Sequence, residues 1–183
     1  MANTAAPRVL GEKVIAQSRF LEFKERRYLN KFGDENRWYM VSRVGGRRAV
    51  MIVPFCDGKL VVTREFRVPI DGYEYSFPAG LIDDGEDPVT AAKRELREET
   101  GLEIRKVLTV SPPVFNSPGL SDEAVTLVYA EVGGTLSRDG LEPDEDIETL
   151  ILDRAGVAAV MADEKNLVGA KAWMEFYHFV NGK

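Results

Sequence analysis

The sequence predicts an α/β protein: a mixed sheet between helices, an α/β/α sandwich, with a small β-rich portion at its N-terminal end. Two observations point there. Strand-like runs are followed by one well-punctuated helix, then more strand-like runs and a terminal helix, an order that buries a sheet between helical layers. The 183 residues are 44% hydrophobic, enough for one compact core with a small accessory element.

Residues 12–45 read as strands around a turn. RFLEFKERRYLN and NRWYMVSRV are rich in aromatic and β-branched residues, and KFGDE between them has turn chemistry. RRAVMIVPF and KLVVTREFR follow, two apolar strands joined at the hairpin signal Asp57-Gly58. GYEYSFPAG reads as a short strand. A helix is then bracketed between Asp87 and Gly101: Asp87 suits the N-cap, Pro88 the first helical position and Gly101 the C′ position. IRKVLTV, AVTLVYAEV and DIETLILD supply three further strand candidates. Of the loops between them, SPPVFNSPGLSDE and GGTLSRDGLEPDE, the second is acidic and glycine-containing and is expected to be mobile. A last helix is expected from about Glu164 to Val180.

Charge and cysteine usage narrow the function. The net charge is −6, and a chain without a basic, aromatic-interleaved patch is a poor ligand for long nucleic acid. A small anionic substrate would have to be drawn locally, by metal ions and a few arginines. The single cysteine, Cys56, excludes an internal disulfide and fits a reducing compartment. It lies in an apolar run far from the only histidine, His178, so it reads as buried and not catalytic. No run approaches the roughly 18 apolar residues of a membrane span, and Met1–Val9 lacks the layout of a signal peptide. The expectation is a cytoplasmic protein without a membrane partner.

The chemistry is concentrated in Gly80–Leu102, GLIDDGEDPVTAAKRELREETGL. Glu95 to Glu98 is i,i+3 and Glu95 to Glu99 is i,i+4, so three carboxylates share one narrow, exposed helix face. Val89, Ala92 and Leu96 form a neighbouring stripe that can bury, with Lys93, Arg94 and Arg97 on the far side. Like charges at this spacing repel, and a hard divalent cation removes the conflict, since Mg²⁺ and Mn²⁺ prefer carboxylate oxygens. A plainer reading is a solvated acidic face. It gives no reason for Glu86 ahead of the helix, or for Arg94 set four residues before Glu98.

This stretch resembles the Nudix box, G-x5-E-x7-R-E-U-x-E-E-x-G-U, where U is a bulky aliphatic residue. All nine fixed positions over 23 residues are met, by Gly80, Glu86, Arg94, Glu95, Leu96, Glu98, Glu99, Gly101 and Leu102. The resemblance implies the Nudix sandwich for residues 47–183, preceded by an added β-rich portion, residues 1–46, that serves dimerisation and substrate binding. It also implies metal-dependent hydrolysis of a nucleoside diphosphate linked to another group. Glu95 and Glu99 would be metal ligands with Glu98 assisting, and the backbone carbonyl of Ala79 would ligate too. Glu86 would act through hydrogen bonds and Arg94 would orient a carboxylate.

The flanks EFRVPIDGYEYSFPAGLIDDGE and SPGLSDE are similar to the ADP-ribose and nucleoside diphosphate sugar pyrophosphatase branch, with SPG beginning 15 residues after Leu102. That similarity implies a Mg²⁺ enzyme, with Mn²⁺ as a substitute, releasing a nucleoside monophosphate and a sugar phosphate. It places the catalytic base in a distant loop, here GLEPDEDIE, where Glu145 is the best positional match and Glu142, Asp144, Asp146 and Glu148 stay open. Arg43 and Arg67 match arginines that contact pyrophosphate or ribose, a task suited to the planar guanidinium fork. Gly119 of the SPG segment and Glu123 fall in the substrate loop, Glu123 toward the terminal ribose hydroxyls. Phe20 and Trp38 match aromatics that sandwich the adenine, one of them from the partner subunit, which implies a homodimer. The plain reading makes both aromatics core residues. Other readings are hydrolysis of nucleoside triphosphates or dinucleoside polyphosphates, and a non-catalytic Nudix module that senses a nucleotide sugar. Such modules commonly lose box carboxylates, and none is missing here.

Overall fold

The computed structural model describes residues 5–182. In chain order the first elements are β1 (Arg8–Gln17), β2 (Leu21–Leu29), β3 (Glu35–Arg43), β4 (Ala49–Cys56), β5 (Lys59–Arg67), β6 (Gly72–Ser76) and β7 (Ala79–Leu81). Helix α1 (Pro88–Thr100) follows, then β8 (Leu102–Val110), β9 (Val114–Phe115), β10 (Ala124–Gly134) and β11 (Ile147–Leu152). The chain closes with α2 (Arg154–Ala162), β12 (Leu167–Val168) and α3 (Ala170–Asn181). Two compact units divide it: Met1–Arg48 with Pro113–Val125, and Ala49–Pro112 with Thr126–Lys183.

In the first unit β1, β2 and β3 form an antiparallel sheet in that order. Its turns are built by local polar bonds. The Ser18 hydroxyl accepts the Leu21 N–H at 3.0 Å, and the Asn30 side-chain oxygen accepts the N–H groups of Phe32 and Asp34 at 2.8 and 3.0 Å. Strand β1 starts four residues before the strand pattern expected from residue 12. Register shifts at Val9/Gly11 and Val14/Ala16 break its alternation, which hides it from a period-two reading. The segment Pro113–Val125 returns to this unit: the Val41 N–H bonds to the Leu120 carbonyl at 2.9 Å, and β9 pairs with Ala124 and Val125.

The second unit is a mixed sheet with strand order β12-β6-β5-β4-β10-β8, with β11 added to β5 and β7 to β4. Strands β12 and β6 run parallel, and β5 pairs antiparallel with β6 and β11. Side chains alternate across the sheet. Val50, Ile52 and Val61 pack on Ala91, Ala92 and Leu96 of α1. Val53 and Leu60 line a small cavity together with Arg154 of α2 and Phe179 of α3 on the other face. Phe77 and Phe176 pack edge to face at 5.5 Å there. This is the sandwich expected from the element order. The hairpin at Asp57-Gly58 has φ of 48° and 76°, the left-handed pair that a tight β-hairpin needs. Cys56 packs half-buried against the core, away from the site described below.

The last helix, expected from about Glu164 to Val180, is α3 and starts only at Ala170 because β12 occupies Leu167–Val168; α2, Arg154–Ala162, was not expected. Helix α2 shows no clear polar stripe in RAGVAAVMA, so its period is weak, yet Asp153 caps it by accepting the Gly156 N–H at 2.8 Å. Between the helices, Leu167 and Val168 pair with Glu74 and Tyr75, and Gly169 caps α3. GYEYSFPAG likewise splits around Pro78 into β6 and β7.

Candidate active site

Helix α1 is terminated as its sequence dictates. Asp87 accepts the N–H groups of Val89 and Thr90 at 2.9 and 3.2 Å, and Gly101 closes it with φ of 75°. Its acidic face lies toward β7. A Cβ on Gly80 would sit 2.0 Å from the Glu95 carboxyl carbon, so only glycine lets that carboxylate lie against the strand. The Ala79 N–H donates to Glu99 at 3.2 Å.

Two expectations about this helix are corrected. Glu99 is not on an exposed face; it is 5% exposed and belongs to the buried side of α1. Arg94 is not turned away with Lys93 and Arg97. It sits about 40° from Glu98 around the helix, within reach of a long side chain. Its guanidinium bonds Glu95 at 2.7 Å, Glu98 at 3.2 Å, Glu86 at 2.9 Å and the Leu81 carbonyl at 2.9 Å. Hydrogen bonding to Arg94 holds the Glu86 carboxyl below its ordinary range.

The electrostatics around this face run the other way. Burial pushes the Glu99 carboxyl well above the usual range, against the Ala79 N–H, and the charges of Glu65, Glu95 and Glu145 push it further. Burial also raises Glu95; Arg94 opposes this, while Glu98 and Glu145 add to it. The structure therefore brings Glu145 into the field of Glu95 and Glu99. Its carboxylate accepts the Glu142 N–H at 2.9 Å. Asp146 instead bonds Tyr73 and Arg138, Glu148 pairs with Arg64 at 3.6 Å, and Glu142 and Asp144 are exposed.

Glu65 was missed from sequence. Burial raises its carboxyl, Arg67 lowers it, and Glu145 and Glu74 raise it. The available signal was its spacing: on a strand, Glu65 shares a face with Arg67 two residues on. Arg67 is braced there, donating to Glu65 at 2.7 Å and to Glu74 at 3.3 Å.

Hard carboxylate oxygens that share excess negative charge suit a divalent cation. The glycine-lined seat of Glu95 and the buried Glu99 beside Ala79 fit that use. Among the described residues no three acidic, histidine or cysteine side chains already stand as a cation cage. Arg94 bonds one oxygen each of Glu95 and Glu98, and the second oxygen of each carboxylate is the one suited to a cation.

In the N-terminal unit, Arg43 pairs with Glu123 at 2.6 Å, and the second Glu123 oxygen accepts the Asn116 amide at 2.6 Å. The Trp38 indole donates to the Gly119 carbonyl at 3.2 Å. Trp38 is 49% exposed and Phe20 63%, so neither is a core residue. Trp38 lines a cavity of about 450 Å³ with Arg26, Tyr28, Met40, Phe115 and Asp122. Phe20 does not line it; the Arg19 guanidinium lies 4.8 Å above its ring. Tyr28 and Phe115 were not identified from sequence, because their meeting depends on the return of Pro113–Val125 to these strands.

Comparison with known proteins agrees with this geometry. Residues 45–173 match the family profile described as NUDIX domain. The chain belongs to the Nudix family, whose hydrolases generally use divalent metal ions. It is 38% identical over 136 residues to the ADP-ribose pyrophosphatase of Saccharomyces cerevisiae, an alignment covering 66% of this chain and 58% of that one. It is 39% identical over 143 residues to the ADP compounds hydrolase NudE of Escherichia coli, covering 75% and 73%. The crystal structure of an ADP compounds hydrolase superposes with a TM-score of 0.77 at 25% identity, covering 97% of this chain and 94% of that one. The chain spans less than two thirds of the length of the yeast relative. No helix among the described residues is long and apolar enough to cross a membrane.

Proposed function

We propose that this chain is a metal-dependent pyrophosphatase that hydrolyses ADP-ribose and related nucleoside diphosphate sugars to a nucleoside monophosphate and a sugar phosphate. The observation that carries this reading is the array of box carboxylates Glu86, Glu95 and Glu98 bonded to Arg94, on the same helix as the buried Glu99, which accepts the Ala79 N–H. The names of the yeast and Escherichia coli relatives support the substrate class.

Glu95 and Glu99, with Glu98 and the Ala79 carbonyl, would hold Mg²⁺ or Mn²⁺. Such ions neutralise charge developing on the phosphates and acidify an attacking water. Glu145 accepts the proton of that water as its oxygen bonds to phosphorus, and the bridging oxygen leaves with the other phosphate. Arg94 draws Glu86, Glu95 and Glu98 into one array and sets their orientation. Arg67, braced by Glu65 and Glu74, presents a fixed guanidinium to phosphate oxygens.

The N-terminal unit is assigned the nucleoside end and the dimer contact. Trp38 offers a half-exposed ring whose polar edge is already satisfied by Gly119, leaving its flat face for a purine. Phe20 is a second exposed ring, and Arg43 with Glu123 supplies a donor and an acceptor for ribose or phosphate oxygens. The single cysteine fits a cytoplasmic setting.

The test is a panel of ADP-ribose, ADP-glucose and GDP-mannose with Mg²⁺ and Mn²⁺, reading released monophosphate, beside nucleoside triphosphates and dinucleoside polyphosphates. Preferential turnover of a diphosphate sugar is expected. Preference for a triphosphate, or binding of a sugar nucleotide without turnover, overturns the reading.

A further inference from the structure

Glu145 and Asp146 are adjacent and sit at the end of the segment that leads into β11. Asp146 is fixed from three directions. The Tyr73 phenol donates a short hydrogen bond to one carboxylate oxygen, and Arg138 reaches the other at 3.5 Å. The Asp146 carbonyl accepts the Phe66 N–H at 3.2 Å.

Tyr73 is itself held against the sheet. It stands opposite Phe66 in the β5–β6 register, with the rings edge to face at 5.4 Å. The Arg64 guanidinium lies 4.0 Å over its ring, and Arg64 in turn pairs with Glu148 of β11 at 3.6 Å. Arg64 and Phe66 occupy one face of β5, and Glu65 and Arg67 the other. The acids follow the same division. Asp146 bonds Tyr73, while the charge of Glu145 acts on Glu65, Glu95 and Glu99. The bond to Asp146 holds the Tyr73 phenol above its ordinary range.

We infer that Tyr73 is a positioning residue: by tying Asp146 to the β5–β6 strands it fixes the orientation of Glu145 toward the acidic face of α1. This rests on the reading of Glu145 as the base of a sugar nucleotide hydrolase. The tie sits on the opposite strand face from the reacting groups, so its loss changes where the base points without removing a contact to substrate.

The experiment uses Tyr73→Phe, which keeps the ring and its stacking and removes only the donor. Hydrogen exchange by mass spectrometry should show faster exchange over residues 138–146 and no change in α1. With ADP-ribose, kcat should fall about three- to tenfold, the scale of one hydrogen bond, with KM within about twofold. Asp146→Ala should reproduce both effects. In a Glu145→Gln background Tyr73→Phe should cost nothing further, because the residue it positions is already disabled. Unchanged exchange, or the same loss of kcat in the Glu145→Gln background, overturns the inference. Absence of turnover in the unsubstituted protein would overturn the functional reading, and the exchange result would still decide whether the tie exists.

Discussion

Replacing Gly80 by alanine separates folding from chemistry at this site. The added Cβ would lie 2.0 Å from both the carboxyl carbon and one oxygen of Glu95, and 2.3 Å from the other oxygen. Contacts below 3.0 Å are not tolerated, so the carboxylate must retreat by at least about 1 Å. The displaced group is the end of a flexible side chain, and Gly80 has ordinary strand geometry opposite Val50, so the fold adapts at a cost of about 1 kcal/mol or less. Catalysis does not adapt. A misplacement of about 1 Å in a reacting constellation costs on the order of 10²-fold, and Glu95 would also leave Arg94, now 2.7 Å away. The assay pairs kcat on ADP-ribose with a thermal melt. The expected result is a fall in kcat of about 10²-fold with a melting shift of a few degrees at most. Turnover near that of the unsubstituted protein, or a collapse of the fold that accounts for the lost activity, would refute the argument.

Glu99→Gln should lower turnover by about 10²–10³-fold and weaken Mg²⁺ binding in titration calorimetry. Because the Glu99 carboxyl is raised in the folded state, its favourable contribution is complete below its unfolded value of 4.5 and is lost as pH rises through the folded value. In chelator, the unsubstituted protein should therefore lose melting temperature from pH 5 to pH 8, and Glu99→Gln should lose less; equal slopes would contradict the burial argument. Glu145→Gln should reduce kcat by about 10²–10⁴-fold with KM little changed; a loss carried wholly by KM would move the base elsewhere. Trp38→Ala should raise KM for ADP-ribose by about one to two orders of magnitude, with kcat less affected. Light scattering should report a dimer at micromolar concentration, and a fully active monomer would defeat a pocket shared between subunits.

The helix carrying the acidic face was legible because both ends are punctuated by local chemistry, Asp87-Pro88 and Gly101, and its side-chain spacing follows from helical geometry. What spacing does not reveal is depth. Glu99 and Glu95 read alike as helix-face acids, yet the packing of α1 on β4 and β7 buries Glu99 almost completely. The i+4 spacing of Arg94 to Glu98 already set the two to meet, and grouping Arg94 with Lys93 and Arg97 overlooked the roughly 40° that separates it from Glu98 on the wheel. Strand β1 was obscured by its bulges and α2 by its weak polar periodicity. The place of Glu65 beside the 142–148 segment and the lining of the Trp38 cavity arise from non-local pairing, β5 with β11 and Pro113–Val125 with the N-terminal strands, which local sequence does not encode.

Phosphorus NMR of the products of ADP-ribose tests the central claim most directly. With Mg²⁺ the pyrophosphate signals should give way to two phosphomonoester resonances, those of a nucleoside monophosphate and a sugar phosphate. The conversion should stop with chelator and be nearly absent in Glu99→Gln. Persistent pyrophosphate signals with the folded protein and either Mg²⁺ or Mn²⁺, or conversion indifferent to chelator, would contradict the account.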